Sequence, residues 1–118
     1  MASGNQYDLV IQQGATFSLA ITWKDSTGAA INLTGYTARM QARSTYDATT
    51  SILSLTSASG DIVLGGAAGT ITITASATIT AALTAPFSGV FDLELVSGSG
   101  VVTRLLEGAV SISPEVTR

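Results

Sequence analysis

From Phe17 to Arg43 the chain alternates, turns, and alternates again. Phe17, Leu19, Ile21 and Trp23 fall on one side of an extended backbone, and Ser18, Ala20, Thr22 and Lys24 fall on the other. A period of two is what a strand with one buried face requires. Asp25-Ser26-Thr27-Gly28 interrupts it with residues that favour turns. Ile31-Asn32-Leu33-Thr34-Gly35-Tyr36 then forms a corner. Beyond it Tyr36, Ala38, Met40 and Ala42 oppose Thr37, Arg39, Gln41 and Arg43 in a second strand.

The same pattern runs through the rest. Residues 1–6 read as a flexible polar lead. Tyr7 to Gln12 is an expected strand with Leu9 and Ile11 on one side, and Gln13-Gly14-Ala15 turns it into the next. Residues 44–51 are a polar loop carrying Tyr46. Short strands follow around Ile52, Leu53 and Leu55, at Ile62 to Leu64, and at Thr70 to Thr74 with Ile71 and Ile73 inward. The turns between them are close, as in sandwiches and barrels. Ala75 to Leu83 predicts a helical crossover of a turn or two, ended before Pro86, because the residue preceding proline is pushed out of the α region.

Phe87 to Val96 alternates most cleanly: Phe91, Leu93 and Leu95 against Val90, Asp92 and Glu94. Ser97-Gly98-Ser99-Gly100 predicts a tight hairpin. Val101 to Glu107 returns, Gly108 marks an expected bulge or bend, and Val110 and Ile112 complete the strand. The tail from Glu115 to Arg118 carries no core signal. The sum is one all-β domain over residues 1–118: an antiparallel β-sandwich of 7–8 strands with at most one short helical turn.

Composition changes this picture in one respect. Charged residues make up 11% of the chain, against about 25% in an ordinary soluble domain. Their place is taken by 17 Thr and 14 Ser. Two readings of so neutral a surface stand side by side. Either much of it meets other protein, or it is simply Thr-rich because Thr suits strands. The net charge of −3 with five basic residues leaves no basic stripe for phosphates, so no nucleic-acid partner is expected. No apolar run reaches membrane-spanning length, so no membrane partner is expected either. The N-terminal residues lack the charged and apolar regions of an export signal.

The chemistry available is narrow. There is no cysteine and no histidine, so disulfides, thiolate metal sites and Ser–His or Cys–His nucleophiles cannot be built. Lys24, the sole lysine, has no Gly-rich loop ahead of it and reads as solvated. Asp92 and Glu94 share one strand face; a carboxylate pair can hydrolyse glycosides. Outward-pointing residues of a half-buried strand, paired with Arg39, Arg43 or Arg104, account for the same pattern. Asp25, Asp47 and Asp61 sit in separate loops without the spacing of a calcium site. Among Tyr7, Trp23, Tyr36 and Tyr46, only loop-borne Tyr46 reads as an exposed ligand candidate; Trp23 continues a core face. No catalytic residue, metal or cofactor is expected.

Three segments together resemble a known family: Gln13 to Phe17 entering a strand, the corner and strand from Ile31 to Arg43, and Gly89 to Leu95 followed by Arg104 to Gly108 and Val110 to Arg118. In this order they are similar to small β-sandwich virion structural proteins of tailed bacteriophages, such as the N-terminal domain of the upper baseplate protein of lactococcal phages. The resemblance spans most of the chain; Asn32 stands where that family more often has Asp, and residues 46–82 match poorly. The resemblance implies an immunoglobulin-like fold and a non-enzymatic part of a tail or baseplate. Its partners would be other virion proteins and copies of itself, in a homo-oligomer made in the host bacterial cytoplasm. A capsid decoration protein and a carbohydrate-binding host-attachment module are the alternatives. Edge strands are natural docking sites, and Leu9, Ile11, Val110 and Ile112 are the expected ones. On that reading Pro at Ile112 blocks assembly and leaves the monomer folded.

Overall fold

A computed structural model describes residues 5–116. The alternating segments become β1 (Asn5–Gln6), β2 (Leu9–Gln12), β3 (Phe17–Thr22), β4 (Thr37–Arg43), β5 (Leu53–Thr56), β6 (Ile62–Leu64), β7 (Thr70–Ala75), β8 (Phe87–Val96) and β9 (Val102–Ser113). One helix, α1 (Ala77–Ala81), and one 3-10 turn (Gly66–Ala68) complete the order. β1 and β2 pair with β9 in a single register, Asn5 opposite Leu106 and Leu9 opposite Val110. Counted as one interrupted strand, they bring the total to eight.

Two sheets stack as an immunoglobulin-like β-sandwich. The large sheet runs β1-β9-β8-β4-β5, with β2 also on β9, and the small one runs β3-β7-β6. The core between them draws Met40, Leu55, Leu93, Leu95, Val110 and Ile112 from the large sheet, and Ile62, Ile71, Ile73 and Ala75 from the small one. Met40, Leu93, Leu95, Ile71 and Ile73 lie on the apolar phases that period two picked out, whereas Ala75, expected in the helical crossover, instead ends β7 and is buried.

Three expectations need correction. Val110 to Ile112 is not an edge: β9 lies between β2 and β8, and both side chains are buried. Leu9 and Ile11 do lie on an outer strand, but their side chains also face the core, and Val10 points outward. The cause is long-range. The N-terminal strand runs parallel to the last strand and covers it, where an all-antiparallel sheet was expected. Second, Gly108 is not the bulge. Leu93 opposes Leu106 while Glu94 opposes Arg104, which leaves Leu105 as the extra residue. That residue re-phases the strand so that Arg104 points out and Leu106 points in. Gly108 pairs regularly with Phe91; it is glycine because a Cβ there would run into the backbone carbonyl of Tyr7. Third, Asn5 and Gln6 belong to β1 and not to a flexible lead; residues 1–4 of that lead lie outside the described residues, as do Thr117 and Arg118 of the tail.

The crossover after β7 is helical, as the Thr/Ala-rich stretch predicted. Ser76 caps it, its side chain accepting from the Ile79 N–H at 3.3 Å. Thr80 is the one buried polar residue of the described chain. Its Oγ1 donates to the Ala15 carbonyl at 2.9 Å, fastening α1 to the turn before β3. Gln13 reinforces the same corner: its Nε2 donates to the Leu83 carbonyl at 2.9 Å, and its Oε1 accepts from the Glu115 N–H at 3.0 Å.

Candidate functional site

Charge is distributed unevenly over the two outer faces. β4, β8 and β9 place Arg39, Arg43, Asp92, Glu94, Arg104 and Glu107 on the outside of the large sheet, because each occupies the phase opposite to a buried neighbour. On the outside of the small sheet the corresponding positions are Ser18, Ala20, Thr22, Val63, Thr72 and Thr74. None of these is charged.

On the ionic face Arg39 Nε donates to Glu94 Oε1 at 2.8 Å, directly across the β4–β8 register. Arg104 reaches two acids, Glu107 at 3.3 Å and Asp92 at 3.5 Å. Arg43 pairs with neither carboxylate of β8. It donates to Gln41 Oε1 at 2.9 Å and to the Ala48 carbonyl at 3.0 Å, holding the β4–β5 loop. Exposed pairs of this kind contribute roughly 0–1 kcal/mol each, so they fix strand register more than they add stability.

A groove of about 280 Å³ opens among these side chains, lined by Gln41, Arg43, Tyr46, Val90, Asp92 and Glu107 among others. Tyr46 is 77% exposed and stands at its rim. Trp23 and the other two tyrosines are elsewhere. Trp23 and Tyr36 meet edge to face at 6.0 Å against the core, and Tyr7 flanks Gly108. Asp25 is a turn residue: its Oδ1 accepts from the N–H and Oγ1 of Thr27 and from the Ala29 N–H. These bonds hold its carboxyl below the ordinary 3.8. Among the described residues no three acids converge on a point that could hold a metal; Asp25, Asp47 and Asp61 stay in separate loops. The groove therefore offers hydrogen-bonding and ionic contacts beside the exposed ring of Tyr46.

Partial burial, followed by the charge of Glu94, raises the Asp92 carboxyl above 3.8, and Arg104 offsets this in part. A carboxyl whose pKa is higher in the fold than in the unfolded chain costs stability once ionised. The cost fades as pH falls through the folded value toward 3.8. Asp92→Asn should remove that cost while forfeiting the long contact with Arg104. We expect neutral-pH stability within about 0.5 kcal/mol of the parent, and a flatter stability profile above 3.8. Urea titrations at several pH values check this; a large loss of stability would contradict it.

Sequence reading found the outward carboxylates and the exposure of Tyr46; of the three arginines it offered as partners, Arg39 and Arg104 pair and Arg43 does not. It missed Thr80 and Gln13, whose partners lie far along the chain, and it missed which edges are open. Sheet order leaves no mark on periodicity.

No family model matches the chain, and no curated protein matches it. Among solved structures, one of the extracellular domains of the voltage-gated sodium channel beta4 subunit is similar. It has 12% identity and a TM-score of 0.48 over 98% of this chain and 98% of that one. A likeness at that level brings no activity or partner to this chain.

Proposed function

We propose that this chain is a non-enzymatic structural component of a tailed-bacteriophage virion, belonging to the tail or baseplate and held there by neighbouring virion proteins and by copies of itself. The observation that carries the reading is the neutral outer face of the small sheet. A surface of Ser, Thr, Ala and Val63, with Lys24 and Asp61 only at its margins, carries little charge to strip of water when another protein covers it. The resemblance of Gln13 to Phe17, Ile31 to Arg43 and Gly89 to Leu95 to phage β-sandwich proteins supports a phage particle as the setting.

A reconstruction of the particle tests this. Density for the chain at the tail or baseplate is the expected result. Density on the head would favour a capsid decoration role, and its absence from particles would remove the reading. One observation favours a carbohydrate-binding role instead: Tyr46 at the rim of a polar groove. Saturable binding on a glycan array, lost on Tyr46→Ala, would support that alternative.

A further inference from the structure

β3 is an open edge, and its open side can be specified group by group. Among the described residues it pairs only with β7. The Trp23 N–H donates to the Gly69 carbonyl, and the Thr74 N–H donates to the Asp61 carbonyl on the β6 side. Backbone groups alternate direction along a strand. Phe17, Leu19 and Ile21 are therefore the residues tied to β7. The N–H and C=O groups of Ser18, Ala20 and Thr22 face outward, without a partner among the described residues. The loop that follows does not cover them: Ile31 returns on the Gly69 side, its N–H donating to the Trp23 carbonyl at 2.9 Å.

The other edges are guarded. β6 is three residues long and follows Asp61; β5 is four residues long; β2 is four residues long and follows Asp8. β3 has six residues with no charge, no proline and no bulge, and so lacks the usual devices that prevent edge pairing. A second observation points the same way. Phe17, Leu19 and Ile21 are only half-buried, while Ala75, Ile73 and Ile71, which oppose them on β7, are fully buried. The core is unfinished along this edge.

We propose that two copies of this chain pair antiparallel through β3, about a two-fold axis at Ala20. Side chains opposite one another in an antiparallel pair share a face, so the axis must fall on a residue. Ala20 is the choice that satisfies every open group. Ala20 exchanges both hydrogen bonds with Ala20 of the second copy, and Ser18 does so with Thr22 of the second copy, in both directions. Leu19 then lies against Ile21 of the second copy, and Phe17 against its Trp23, covering the half-exposed apolar row. On the outer side only Ser, Ala and Thr meet, and Thr16 faces Lys24, so no like charges oppose. For a chain of net charge −3, this edge without acids is where a second copy meets least repulsion. The two small sheets fuse into one of six strands. Because the operation is a two-fold, it consumes the edge and closes as a dimer.

This deepens the assembly role by naming the surface through which a copy docks. Particle localisation tests the role; purified protein tests the edge alone. Sedimentation across a concentration series should show a monomer–dimer equilibrium. Ser18, Ala20 and Thr22 are exposed, so substitutions there spare the core, and far-UV circular dichroism verifies this. Ala20→Lys places two ammonium groups on the axis and should weaken dimerisation at least about tenfold. Ser18→Lys with Thr22→Lys should do the same. Ser18→Lys with Thr22→Glu sets opposite charges across both outer pairs and should keep the dimer. A parent chain that stays monomeric throughout, a dimer indifferent to Ala20→Lys, or identical behaviour of the two double variants would overturn the proposal.

Discussion

Ile112→Pro is expected to unfold the chain. Ile112 sits on β9 between Ile11 of β2 and Phe87 of β8, and is 2% exposed. Its N–H is directed at a neighbouring strand on whichever side it points, and proline has none to offer. The substitution leaves a buried carbonyl unpartnered and removes most of an isoleucine from the core. Together these cost about 3 kcal/mol or more, against a total of roughly 5–15 kcal/mol for a domain. Urea unfolding followed by Trp23 fluorescence should show a collapsed midpoint, or the protein should fail to accumulate in soluble form. A folded Ile112→Pro monomer, the outcome an edge position would give, would contradict the placement of β9 inside the sheet.

Leu93→Ala should be nearly as damaging for a different reason. Leu93 has no exposed surface and lies between Met40 of β4 and Leu106 of β9. It is also the last regular pair before the bulge at Leu105. Ladder hydrogen bonds on both sides hold the backbone, so the surroundings have little freedom to close on a cavity. Truncations in such sites cost about 2–5 kcal/mol. The melting temperature should fall by on the order of 10 °C, with the strand content measured by circular dichroism unchanged below the transition. A loss under about 1 kcal/mol would mean that the two sheets can close over the space.

These two positions mark where the sequence was readable and where it was not. Leu93 was legible as core because β8 alternates strictly from Phe91 to Leu95 and ends in a Gly-rich hairpin. Ile112 was equally legible as apolar and inward, yet its place within the sheet was not. That depends on β2 running parallel beside β9, a pairing between opposite ends of the chain that neither strand's own pattern encodes. The bulge behaves similarly. Leu105-Leu106 breaks the alternation visibly, but Gly108 carries the stronger local signal for irregularity, and its true constraint is the approach of Tyr7. On the ionic face, phase alone pointed Asp92 and Glu94 outward. Their separate partners, Arg104 and Arg39, depend on cross-strand register.

The parallel pairing of β1 and β2 with β9 also determines how this domain answers tension. The chain enters along one end of β9 and leaves past the other, at Ser113. A force drawing Asn5 away from Ser113 pulls these adjoining strands in opposite directions along their own length. Their hydrogen bonds are then sheared together; they do not open singly as in a peeled hairpin. Release under load is set by the height of the unfolding barrier. Its first event must drag Leu9 and Ile11, both buried, past Val110 and Ile112.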